Sequence, residues 1–263
     1  MKTVHWFLIT GLLWVWAFWF SFALGEAGII SRNLPGFFIP IGGIGLLLVA
    51  CLFAYSQGAW KSLKQVFKRS LDGRHSPFYW VMALVPAAFL FISMALYGYV
   101  AEPDGLALGI PMSAAMIAGV IIAWIEETVW RGYALPQLLK LHSPFISSAI
   151  LAFAWVIFHF PLYIVPNYNA WELTGWIAWV PWYILYTYFL TWLAIHTRYS
   201  VLVATVSHFS VNWVIAWYAP DFMENIAALG GSILLLGLVA YLFPKIELKQ
   251  RNHYIITDNS VAD

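Results

Sequence analysis

Residues 111–130 read Pro111-Met-Ser-Ala-Ala-Met-Ile-Ala-Gly-Val-Ile-Ile-Ala-Trp124-Ile-Glu126-Glu127-Thr-Val-Trp130, followed by Arg131-Gly132. An uncharged apolar run of bilayer length ends here in two adjacent carboxylates. A membrane span takes ~20 residues, and seven further stretches of this kind surround it. They are Val4–Leu24, Phe37–Tyr55, Phe78–Tyr99, Phe145–Val165, Gly175–Ile195, Val201–Ala219 and Ala227–Phe243. All are continuously apolar, whereas barrel strands alternate over ~10 residues. The expected fold is therefore an all-α membrane protein with about eight transmembrane helices. No linker or repeat divides residues 1–263, so one polytopic membrane domain is expected.

Composition closes off the other classes. Of 263 residues, 62% are hydrophobic and only 10% charged, against roughly 25% charged in an ordinary soluble domain. A formal net charge of +1 leaves no basic surface for nucleic acid. The single cysteine, Cys51, excludes a disulfide scaffold and a cysteine-based zinc site.

Lys and Arg orient the spans. With the N-terminus cytoplasmic, the inner segments hold Lys2, Lys61, Lys64, Lys68, Arg69, Arg74, Arg131, Lys140, Arg198, Lys245, Lys249 and Arg251. The outer loops hold only Arg32, together with Glu26, Glu102, Asp104, Glu172, Asp221 and Glu224. This asymmetry needs an even number of spans and both termini inside. Between the second and third spans, residues 60–71 place Trp60, Leu63, Phe67 and Leu71 at helical spacing beside Lys61, Lys64 and Lys68. That pattern reads as an amphipathic helix on the anionic inner leaflet. Trp176, Trp179 and Trp182 recur at three-residue spacing and read as a packing and interfacial stripe.

Ionisable groups inside spans are costly and mark function by default. Three spans carry them: Glu126 and Glu127 in the fourth, His159 in the fifth, His208 with Asn212 in the seventh. Glu127 and Arg131 are four residues apart with the acid first, the favourable order for an ion pair. Glu126 points about 100° away, which leaves it as the free carboxylate and the candidate general base. His208 and Asn212, also four apart, project from one face as hydrogen-bond donors. Pro161 should disturb the fifth helix just after His159, as happens where irregular backbone lines a cavity. Depth is harder to reconcile. Glu126 and His208 lie ~7 and ~10 Å from the inner ends of their spans, but His159 lies ~21 Å in. Starting the fifth span near Ala149, with Ser143-Pro144 as the turn, lowers this to ~15 Å.

Glu126-Glu127-x-x-x-Arg131, an aromatic-x-x-x-His159 element and His208-x-x-x-Asn212 together resemble the CPBP (Abi) family, which includes type II CAAX prenyl endopeptidases and bacteriocin-processing or immunity proteins. The resemblance covers about residues 111–219. It implies an intramembrane glutamic-type endopeptidase of a bacterial inner membrane, with no cofactor. Glu126 and His159 would activate water, His208 and Asn212 would bind the oxyanion, and Glu127 and Arg131 would support the site. The implied partners are the bilayer and a membrane-associated peptide or protein substrate, a prenylated C-terminus or a peptide leader. Trp155 departs from the family's usual Phe and is expected only to pack.

Three other readings stay open on the residues alone. Glu126, His159 and His208 could hold a zinc with an open fourth position, although no His-Glu-x-x-His signature is present. A proton relay or transporter would show paired broken helices in two related halves, and no such repeat is seen. A non-catalytic immunity or scaffold protein would share the fold without the chemistry.

Overall fold

The computed structural model describes residues 3–30, 35–101, 114–163, 173–217 and 223–259. Among them all regular structure is helical: α1 (Thr3–Glu26), α2 (Pro35–Ser70), α3 (Pro77–Ala101), α4 (Ala114–Glu127), α5 (Leu135–Leu138), α6 (Pro144–Tyr163), α7 (Leu173–His196), α8 (Val201–Trp217) and α9 (Met223–Asn259). A π-helical segment, Thr128–Ala134, joins α4 to α5 without a break, so the nine helices form eight rods that match the eight apolar stretches. The protein is a multi-pass all-α membrane protein. Five helices are long and apolar enough to cross a bilayer by themselves: α1, α2, α3, α6 and α9. In α7 the 24 residues suffice in length, but Trp and Tyr replace aliphatic side chains along it. The outer-loop residues Arg32, Glu102, Asp104, Glu172 and Asp221 lie outside the described residues.

Local sequence explains several helix starts. Pro77 and Pro144 occupy first-turn positions, where the missing N–H costs nothing. Ser143 Oγ accepts the Ile146 N–H at 3.3 Å, and Ser200 Oγ accepts that of Val203 at 3.3 Å, so serines cap α6 and α8. Helix α6 therefore starts at Pro144, not near Ala149. For Glu126 the depth mismatch narrows on the other helix, while His208 stays ~10 Å from the start of α8. The rod carrying Glu126 runs on to Leu138, eight residues beyond the expected end at Trp130. By the α-helical rise, Glu126 then lies ~18 Å and His159 ~22 Å from the nearby helix ends.

Pro161 does not interrupt α6. It removes the N–H that would bond the Ile157 carbonyl, and the Trp16 indole of α1 donates to that carbonyl instead at 2.9 Å. A neighbouring helix thus satisfies the freed backbone group, as the bilayer interior demands. In the stripe on α7, Trp179 and Trp182 are buried, and Trp176 donates to the Val156 carbonyl of α6 at 3.4 Å. Packing is its role. Helix α1 packs on α2 and α6, α3 on α8 and α9, and α7 on α6 and α9. The Glu-bearing rod sits among α2, α6 and α8.

Candidate active site

Three elements bring the polar residues together. Glu126 and Glu127 end α4, His159 lies in the last third of α6, and His208 is two turns into α8. Glu127 and Arg131 are almost fully buried, 0% and 1% exposed, and form an ion pair at 2.9 Å. The expected pairing is present. It survives the wider π-helical turns that start at Thr128, a feature that an α-helical reading of the sequence does not contain. Single π-helical insertions are common at functional sites. Gly132 allows this one to pack closely, since a Cβ there would sit 3.0 Å from Val201 Cγ2.

Glu127 has a second partner. Its Oε1 accepts a hydrogen bond from His208 Nδ1 at 2.9 Å, so one carboxylate holds both Arg131 and His208. A carboxylate oxygen without a proton only accepts, which puts a proton on Nδ1. His159 is fixed in the same manner. Its Nδ1 lies 2.9 Å from the Trp155 carbonyl, which cannot donate. Nδ1 therefore carries the proton, and the Nε2 of neutral His159 keeps a free lone pair.

Glu126, 7% exposed, is not free of protein contacts. Its Oε2 accepts the Trp155 indole N–H at 3.1 Å. The expectation that Trp155 only packs is therefore corrected. Its carbonyl orients His159, its N–H holds Glu126, its ring lies 5.0 Å beneath the Arg131 guanidinium, and its edge meets the His208 ring at 5.4 Å. A phenylalanine could do all of this except bind Glu126. His159 is in addition stacked on Tyr183, with centroids 4.9 Å apart and planes at 17°. The Tyr183 hydroxyl bonds that of Tyr163 at 2.9 Å. Sequence reasoning passed over these tyrosines, although Trp155, His159 and Tyr163 recur every four residues on one face of α6.

Glu126 and His208 both lie within electrostatic reach of His159. Asn212 follows His208 by one turn of α8 and is half-buried, with no hydrogen bond to another described residue. His159 and Asn212 are the more accessible members of the group, and Glu126, Glu127 and His208 lie deeper. Among the described residues, no three His, Cys, Asp or Glu side chains are placed to hold one metal ion. Four other histidines lie elsewhere: His5 meets His142 edge to face, His75 lies 3.8 Å from Asp72, and His196 donates to the Trp192 carbonyl.

A sequence profile of the family described as Type II CAAX prenyl endopeptidase Rce1-like matches residues 107–214, which contain every residue of this site. A protein of Methanococcus maripaludis named CAAX prenyl protease 2 is 26% identical over 228 residues, covering 78% of this chain and 79% of that protein. The fold, the site and these likenesses agree: the chain is a relative of the CPBP and type II CAAX protease family.

Proposed function

We propose that the protein is an intramembrane endopeptidase in which Glu126 and His159 activate water. The observation that carries this reading is that both groups are anchored on Trp155. One is held by the indole N–H and the other by the carbonyl, with the basic Nε2 of His159 left free. Water held between Glu126 and Nε2 loses a proton to this pair as its oxygen adds to the peptide carbonyl. The tetrahedral oxyanion receives hydrogen bonds from the Asn212 amide and from His208 Nε2–H. That second donor exists only in the imidazolium form, because the Nδ1 proton is committed to Glu127. Collapse of the intermediate breaks the C–N bond, and the proton taken from water leaves with the amine.

The substrates are membrane-associated peptides or proteins. A prenylated C-terminus is the favoured class, because the relative's name specifies a CAAX prenyl protease; peptide leaders are the second. The Lys/Arg asymmetry supports access from the cytoplasm.

Cleavage of prenylated and unprenylated membrane-tethered peptides in proteoliposomes tests the reading. Glu126→Gln should abolish cleavage and leave the melting temperature unchanged. Glu127→Gln strands Arg131 and His208 and should cost about 3–5 kcal/mol of stability, while surviving protein keeps some activity. Asn212→Ala should lower kcat, by about 2.7–4 kcal/mol in the barrier if it is a full oxyanion donor. A stable, inactive Glu127→Gln beside an active Glu126→Gln would reverse the assignment. Loss of activity on chelation, with stoichiometric recovery on adding zinc, would replace it with a metal mechanism. Equal absence of cleavage in all forms would favour a scaffold.

A further inference from the structure

The second half of α2 takes no part in the proposed chemistry, yet it touches the segment that follows the two glutamates. The chain turns sharply at Gly58 and Ala59, and Ala59 has a left-handed φ of 48°. Beyond the turn the helix has three distinct faces. One is packed: Val66 and Ser70 are buried, Ser70 Oγ meets Thr128 Oγ1 at 3.2 Å, and Arg69 donates to the Gly132 carbonyl at 2.9 Å. The second is apolar and exposed. Trp60 is 64% exposed, Phe67 39%, and Leu71, just past the helix, 76%. The third carries Lys61, Lys64 and Lys68, all exposed. At about 100° per residue the apolar stripe lies between the packed face and the lysines.

Water does not suit a stripe of Trp, Phe and Leu, and the acyl region does not suit three lysines. The boundary between acyl chains and headgroups suits both. Charge selects the headgroup. Residues 60–71 contain four cations and no carboxylate. The next acid, Asp72, is turned aside to the Arg74 N–H and His75. We propose that residues 60–71 are a docking surface for anionic phospholipid headgroups. Seating this helix on the bilayer holds the π-helical segment in place through Ser70 and Arg69, so that cleavage depends on anionic lipid. The docking stands by itself, whereas the dependence of cleavage rests on the peptidase reading.

Two measurements on the full chain test this. With Cys51→Ala and Phe67→Cys, an environment-sensitive fluorophore at position 67 reports insertion. The vesicles are phosphatidylcholine alone, or phosphatidylcholine with one third phosphatidylglycerol. Emission should shift to the blue in the anionic vesicles and return with added salt, which screens exposed charges. The Lys61→Gln, Lys64→Gln, Lys68→Gln combination should abolish the shift. The single Lys64→Glu variant should weaken it if the triple variant folds poorly. Cleavage of a substrate without net charge should be about fivefold faster in the anionic vesicles, and the triple variant should lose that difference while keeping the rate in phosphatidylcholine. An emission shift without any lipid effect on a measurable cleavage rate would overturn the coupling and leave the docking. A shift with no cleavage in either vesicle would count against the peptidase reading alone. Equal emission in both vesicles, or displacement of the probe by a soluble acidic peptide rather than by anionic vesicles, would overturn the docking surface.

Discussion

At the scale of single residues, Trp155 carries most of what an inventory of ionisable groups does not contain. Glu126, Glu127, Arg131, His159 and His208 were readable because charge in an apolar chain is conspicuous. Trp155 was not, because an indole in an aromatic-rich chain looks like packing until its N–H is seen to bond Glu126. Trp155→Phe should keep the ring beneath Arg131 and beside His208, and so keep the fold. It removes a hydrogen bond to a charged group, and we expect kcat to fall about ten- to hundredfold with KM and the melting temperature nearly unchanged. Benzothienylalanine at position 155 replaces only the N–H with sulfur and should reproduce the loss. If that analogue retains full kcat, Trp155 acts through packing alone.

Elements were legible in number and imperfect at their ends. Apolar length revealed eight rods, but the fourth continues through seven π-helical residues and one α-helical turn. Its polar and small residues look like the end of a span when neighbours are left out. Packing reverses that reading, since every residue from Thr128 to Ala134 is buried. Contact between α1 and α2 depends on glycines in the same manner. A Cβ on Gly42 would fall 2.5 Å from Trp19 Nε1, whereas one on Gly43 would meet nothing within 4 Å. Trp19 is buried and bonded to the Ile39 carbonyl at 3.2 Å, so it has little freedom to move. Gly42→Ala should therefore cost ~1–3 kcal/mol by overpacking. Gly43→Ala should be neutral or stabilise by ~0.5–1 kcal/mol. Thermal unfolding in detergent compares them, and equal melting temperatures would mean that this interface is looser than described.

For the whole molecule, the ends of the rods sort by charge. His5 meets His142, Ser200 donates to the Asp72 carbonyl, Arg69 lies over Tyr199, and Tyr79 packs against His196. The start of α1 and the α2–α3, α5–α6 and α7–α8 connections therefore gather at one end of the bundle. Arg69, Arg74, Lys140 and Arg198 all belong to that end. We expect it to face the cytoplasm, which places both termini there. A cysteine placed between Glu102 and Gly105, in a chain lacking Cys51, should react with an impermeant reagent added outside intact cells. Reaction only after permeabilisation would invert the topology.

Sequence alone determined the solvent, the number of rods and the identity of the ionisable groups, because a bilayer imposes long apolar runs and makes every exception to them visible. It also determined the Glu127–Arg131 pair, which depends on spacing along one helix. Tertiary structure decided the rest. Only the approach of α4, α6 and α8 gives Glu127 its second partner in His208 and sets Glu126 on the tryptophan that holds His159, and only the packing of α1 on α6 lets Trp16 replace the N–H missing at Pro161. Glu126 to Trp155, Glu127 to His208 and Trp16 to Ile157 are contacts across 29, 81 and 141 positions, and no periodicity within a single helix encodes them.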